Sequence, residues 1–155
     1  MLQELECSTA VLDAKWQEFG LSRSNCRLPS KPEVLVVAMS NGSIGLYSLK
    51  PDGPRSQLLH VGDSIVSAQS DLVLALATQP SSDTLLSSLS SGEVSIVKVN
   101  NVEAVILNSW IAHNLEVWCS AWKDQNVVLT GADDAILKLW DIRDEPFEAK
   151  LTSRA

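Results

Sequence analysis

Two histidines, His60 and His113, are the imidazoles available to this 155-residue chain, and only one of them has company that suggests chemistry. His113 shares a stretch with Thr130 and Asp134, and a histidine with a carboxylate and a hydroxyl has the composition of a nucleophilic triad. The same side chains also make a structural hydrogen-bond chain when an indole N–H, here that of Trp140, must find a buried acceptor. Leaving such a donor unpaired costs roughly 1–3 kcal/mol. A triad needs a nucleophile that solvent reaches, whereas the structural chain uses all four residues, so His113, Thr130, Asp134 and Trp140 are expected as structure. Other nucleophile signals are weak. Asn41-Gly42-Ser43-Ile44-Gly45 places a serine beside one glycine, but in a strand-to-strand turn without the helix that follows a nucleophile elbow. Cys119, flanked by Trp118 and Ser120, is expected as a buried inert thiol. Neither histidine has a Cys or His at ligand spacing, so no metal and no cofactor is expected. Two carboxylates remain as catalytic candidates, Asp133 beside Asp134 and Glu116 in the loop after His113. The plain alternative for both is a turn or loop acid.

The elements that must position these groups follow a fixed order from Trp110 to Asp141. An Ala-His pair precedes an apolar run ending in Ala121-Trp122, then a polar turn, a run ending in Thr130-Gly131, an Asp-Asp turn, and an alternating run closing on Trp140-Asp141. That is the order of one WD-repeat blade, with strands after a His-bearing loop. Two degenerate copies precede it. Tyr47-Ser48 and Val97-Lys98 stand at the Trp-Asp position, and a turn residue, Asn41, Ser91 or Asp134, lies six positions before each. These three positions are 50 and 43 residues apart, against ~40–45 for that repeat class, and 3.6-residue periodicity is absent. Strands are expected at Val11 to Trp16, Val34 to Ala38, Ser43 to Leu49, Ser56 to Val61, Leu72 to Thr78, Thr84 to Leu89, Val94 to Val99 and Ala104 to Trp110, with Glu148 to Thr152 last; Gln17 to Glu33 and Gly62 to Asp71 read as loops. The expected fold is an all-β WD40 propeller, here a partial arc of about three blades: 1–7 an outer strand of a preceding blade, 8–61, 62–110 and 111–155 the blades. A β-sandwich is the alternative architecture for strands so spaced. Closed propellers have about 4 to 8 blades, so the chain is expected to be an internal segment or an incomplete product of a larger ring, exposing two flat apolar faces.

Composition narrows the partners. Net charge is −7, and no run of Lys or Arg exceeds one residue, so direct nucleic-acid binding is not expected. No apolar run approaches the ~20 residues that span a bilayer, so no membrane is expected. Cys7, Cys26 and Cys119 are odd in number without a CxxC pair, and no N-terminal signal is visible, which points to a reducing, cytoplasmic setting.

STAVLDAKW, SNGSIGLYSL, SSGEVSIVKV, SWIAHNLEVWCSAW and GADDAILKLWDIR, in that order from Ser8 to Arg143, carry a more specific resemblance. Together they resemble the N-terminal half of the propeller in the diphthamide-biosynthesis WD-repeat family, known as diphthine methyltransferase or diphthine methyl ester esterase. The resemblance implies hydrolysis of a methyl ester on the modified histidine of translation elongation factor 2, which would be the partner. The competing function is a noncatalytic WD-repeat scaffold for protein–protein interaction.

Overall fold

The computed structural model describes residues 7, 9–18, 33–52, 55–67, 71–80, 82–144 and 147–154. Among them are three four-stranded antiparallel sheets and no helix. Sheet 1 holds β1 (Val11–Glu18), β2 (Glu33–Met39), β3 (Ser43–Asp52) and β4 (Arg55–Ile65). Sheet 2 holds β5 (Val73–Thr78), β6 (Thr84–Leu89), β7 (Glu93–Val99) and β8 (Ala104–Ile111), and sheet 3 holds β9 (Val117–Trp122), β10 (Val127–Ala132), β11 (Ile136–Asp141) and β12 (Ala149–Arg154). Within each sheet the strands pair in chain order, and the sheets neighbour one another mainly through their first strands, β1 beside β5 and β5 beside β9. This is a three-blade arc of a propeller, with first strands innermost.

Side-chain alternation explains the packing. Val34, Val36 and Ala38 of β2 and Ile44 and Leu46 of β3 face sheet 2, where they bury against Leu85, Leu89, Val97 and Val99. The opposite parity of sheet 2, Leu86, Val94 and Ile96, buries against Val128 and Trp140 of sheet 3. Both faces of sheet 2 are thus covered, which is why its strands read as near-continuous apolar runs. Sheet 3 has one covered face, so Trp118, Leu137 and Leu151 stand exposed. The outer face of sheet 1 differs from the flat apolar face expected: Val37, Met39 and Tyr47 are covered, with Cys7, Leu35 and Leu58 partly buried against them, while Val11 and Trp16 remain open.

Strand register makes the three blades superimposable. Tyr47 lies opposite Leu35, Val97 opposite Leu85, and Trp140 opposite Val128. One step past each turn residue the chain needs positive φ: Gly42 at 78°, Gly92 at 89° and Ala135 at 58°. Ala135 bears a Cβ where its two counterparts are glycine, and the left-handed region costs an L residue roughly 1–2 kcal/mol. Part of that gain is offset by the entropy glycine adds to the unfolded chain. Ala135→Gly is therefore expected to raise stability by about 0.5–1 kcal/mol, measured by denaturant melts; a lower midpoint would contradict the strain.

Several strands outrun their sequence assignments. β4 continues past Val61 to Ile65, because a bulge lets Leu46 pair with Gly62 while Tyr47 pairs with His60, and polar residues cost nothing on an outer strand facing water. Gln17 belongs to β1 instead of a loop; it is buried and its side-chain amide donates to the Ser82 carbonyl of the next sheet. Cys119 is exposed, against expectation, because it sits toward the uncovered side of sheet 3. Residues 1–6, most of the 17–33 loop and Cys26 lie outside the described residues.

Candidate functional site

The loop between β8 and β9 is pinned before its side chains act. The backbone N–H groups of Ala112 and His113 both donate to the Gly92 carbonyl, at 2.9 and 3.1 Å, and a Cβ at Gly92 would lie 2.2 Å from the His113 carbonyl oxygen. Glycine at the turn of sheet 2 is what lets this loop approach. So held, His113 meets Thr130 of β10, Trp140 of β11 and Asp134 of the turn between them. Trp140 Nε1 donates to Thr130 Oγ1 at 2.9 Å, Thr130 Oγ1 lies 2.8 Å from His113 Nε2, and His113 Nδ1 lies 2.8 Å from Asp134 Oδ2. With the indole N–H fixed as donor, the chain runs one way: the threonine hydroxyl donates to Nε2 and Nδ1–H donates to the carboxylate. His113, Thr130 and Trp140 are all buried, and both ring nitrogens of His113 are occupied, so this imidazole has no lone pair for a substrate proton. Lys138 closes the group by donating to the Ala112 carbonyl at 2.6 Å, its ammonium 5.6 Å from the Trp140 ring centroid.

Burial alone would raise the Asp134 pKa, but hydrogen bonds from His113 and the Ile136 N–H, with the charge of Lys138, outweigh it and hold the carboxyl below its ordinary value. A folded-state value below the unfolded one stabilises the fold above the ordinary carboxylate pKa of ~3.9, and that stabilisation is lost as pH falls through the lowered value. Between pH 5 and pH 3 the melting midpoint is expected to fall more steeply than in Asp134→Asn, which starts lower at neutral pH. Equal slopes in the two proteins would refute this coupling.

The register shows why this network occurs in one blade. Ser87 holds the place of Thr130, but Val97 holds that of Trp140, so Ser87 Oγ is buried and has no partner among the described residues. The candidates Asp133 and Glu116 are brought together by backbone: the Asp133 N–H donates to the Glu116 carbonyl at 3.1 Å. Asp133 is exposed on the rim of a groove of about 330 Å³ lined by Trp118, Cys119, Gly131 and Leu137; Glu116 is half-buried. Neither carboxylate pairs with a second functional side chain among the described residues.

Sequence inspection missed a second His–carboxylate pair. His60 and Asp63 flank the β4 bulge, with His60 Nε2 2.9 Å from Asp63 Oδ1 and both side chains open to solvent. The His-x-x-Asp spacing was visible, but it brings the two together only because the bulge turns them to one side. Behind His60 its cross-strand neighbour Tyr47 stacks at a tilt, ring centroids 5.0 Å apart. The Tyr47 hydroxyl is 3.3 Å from Cys7 Sγ, and burial, then the Cys7 contact and the Asp63 charge, push its pKa up to about 12, so it stays neutral. Tyr47 and Cys7 help to line an apolar groove of about 200 Å³ with Val11, Ala14, Leu35, Val37 and Leu58.

No family model matches the chain. Among curated proteins it is 27% identical over 146 residues to a diphthine methyltransferase homolog of Dictyostelium discoideum, covering 91% of this chain and 36% of that protein. It is 31% identical over 142 residues to diphthine methyltransferase of Schizosaccharomyces pombe, covering 90% and 38%, and 31% identical over 150 residues to that of Mus musculus, covering 88% and 29%. Among solved structures, a chain of the mitotic checkpoint complex aligns with a TM-score of 0.61 at 21% identity, over 77% of this chain and 34% of that one. Sqt1 of Chaetomium thermophilum aligns with a TM-score of 0.59 at 21% identity, over 74% and 28%. These likenesses show the fold, and the chain spans about a third of the length of the curated relatives it matches. The chain is thus a homologue, over about nine-tenths of its length, of part of the curated diphthine methyltransferases, and its three sheets are blades of a WD-repeat propeller.

Proposed function

We propose that this chain contributes blades to a diphthine methyl ester hydrolase that acts in diphthamide biosynthesis on translation elongation factor 2 in the cytoplasm. The supporting observation is the 27–31% identity with curated diphthine methyltransferases along nearly the whole chain. In this reading His60 is the base: Asp63 takes the Nε2–H, leaving Nδ1 free to accept a proton from water. The resulting hydroxide attacks the ester carbonyl carbon, the acyl C–O bond breaks, and the imidazolium returns its proton to the departing methoxide. A carboxyl group and methanol result. Asp133 and Glu116 are the alternative bases, weaker because each stands without an orienting partner.

A second reading has one observation behind it. Sqt1, which shares the fold at 19% identity, is known bound to the N-terminus of ribosomal protein L10, so a purely docking role fits the same architecture. Incubation of the full-length protein containing this chain with elongation factor carrying methylated diphthine separates the two. The hydrolase predicts methanol release and loss of one CH₂ from the intact factor. A complex that forms while the ester persists would establish the scaffold instead.

A further inference from the structure

We propose that the outward edge of β8 takes an added strand from a partner protein, an extended segment apolar in its middle and bearing lysine or arginine at its ends. β8 is the last strand of sheet 2, so one row of its backbone N–H and C=O groups has no strand beside it among the described residues. Such edges are ordinarily guarded by charge, above all by lysine. The outer strands of the other two sheets follow that rule: β4 carries His60 and Asp63, and β12 carries Lys150 and Arg154. β8, AVILNSWI, carries no charge, and Val105, Ile106 and Leu107 in succession are 45%, 41% and 57% exposed. Register sharpens the contrast. Each outer strand has a bulge at the same place, and the extra residue is Val61 in β4, Lys150 in β12 and Leu107 in β8. Where sheet 3 places a lysine, sheet 2 places a leucine.

The edge is also preformed. Ser64 Oγ accepts from the Ala104 N–H at 2.9 Å, which ties the start of β8 to β4, and β7 pairs with β8 on both sides of the bulge. A strand already held in place costs little further ordering when another is added beside it. Sheet 2 has neighbours on both faces, and further blades would stack on sheets 1 and 3, so β8 faces outward in a larger ring as it does here. Charge selects the occupant. Glu103 is exposed just before β8, Glu93 lies across from Ile111 at its far end, and neither is in an ion pair among the described residues. Lys98, across from Val105, is held by Asp83 at 3.4 Å. An incoming strand therefore gains from cations at its ends and apolar side chains between them. A second copy fits less well: antiparallel self-pairing centred on Leu107 would bring Glu103 of each copy to Ile111 of the other, one strand from its Glu93, with like charges at both ends. The inference does not depend on ester hydrolysis.

The probe is a fluorescein-labelled peptide, Lys-Val-Thr-Ile-Thr-Val-Lys, titrated with the full-length protein containing this chain and followed by anisotropy. Saturable binding is expected, and its absence would overturn the proposal. Leu107→Lys copies the residue that sheet 3 already holds at that place, and circular dichroism checks that its sheets persist. Its affinity for the peptide is expected to fall about 10-fold or more, through loss of the apolar contact and repulsion of the cations. Ile65→Lys, at a side chain 78% exposed on β4, should bind as the unchanged protein does. Equal weakening by both substitutions, or by neither, would move the site away from β8. Two further peptides, N-methylated on alternate rows of amides, keep every side chain and lose one row of N–H groups each. One is expected to bind and the other not, since only one row faces β8; equal affinities would overturn the strand pairing. A peptide with glutamate at both ends is expected to bind about 10-fold more weakly, with the gap closing as salt is added; equal binding would overturn the basic character of the partner. Sedimentation velocity supplies the last arm: a full-length protein that dimerises, and that Leu107→Lys makes monomeric, would have a second copy on this edge, against the proposal.

Discussion

Thr130→Val is expected to lower the stability of the chain by about 3–5 kcal/mol while leaving its shape nearly unchanged. Among the described residues the hydroxyl at 130 is the only link between two buried groups, accepting from Trp140 Nε1 at 2.9 Å and donating to His113 Nε2 at 2.8 Å. Valine fills the same volume and offers neither contact. The indole N–H and the imidazole nitrogen are then left unpaired, each at roughly 1–3 kcal/mol. The loss spreads beyond one strand, because His113 anchors the loop between sheets 2 and 3 through its bond to Asp134. For a chain of this size about 2–4 °C accompanies each kcal/mol, so the melting midpoint is expected to drop by roughly 10 °C. Ser87→Ala provides the control. It removes a buried hydroxyl at the matching place in sheet 2 that has no partner among the described residues, and should leave stability unchanged or raise it. A Thr130→Val loss under ~1 kcal/mol would mean that the network does not act as a unit.

Under the proposed hydrolase function, His60→Gln is expected to reduce ester hydrolysis by about 10²–10⁴-fold in kcat, the usual share of a general base, with KM unchanged. Glutamine can still pair with Asp63, so the local structure persists, and the position is exposed enough that stability should move by no more than ~0.5 kcal/mol. Loss of turnover without loss of fold or of elongation-factor binding is the diagnostic combination. Added imidazole should partly restore the rate in His60→Ala, which a merely structural role would not allow. Asp133→Asn is the counter-experiment: its side chain lies at the sheet 3 turn, away from the β4 pair. If Asp133→Asn abolishes turnover and His60→Gln does not, the base is on sheet 3. His113 is no competitor, since both its nitrogens are already committed inside the blade.

The blades were legible because their pattern is local. The turn residues Asn41, Ser91 and Asp134 and the apolar alternation around them depend on neighbours a few positions away, and strand register keeps that spacing. The four-residue network was legible for the same reason, every member lying between Ala112 and Asp141 in one blade. Strand ends were less readable. Polar residues such as Gly62 to Ser64 look like loop, yet an outer strand accepts them because one of its sides meets water. Cys119 was misjudged because its neighbours in sequence are those of a buried strand, while its exposure depends on whether another sheet stands beside β9.

From the order of residues alone came the all-β class, the repeat, and the hydrogen-bonded set around Trp140, since each follows from short-range alternation and from the need of a buried donor for an acceptor. The His60–Asp63 pair and the covering of Tyr47 were decided by tertiary structure. They depend on a bulge and on how sheets stack, and these bring together groups whose separation along the chain says nothing about their separation in space.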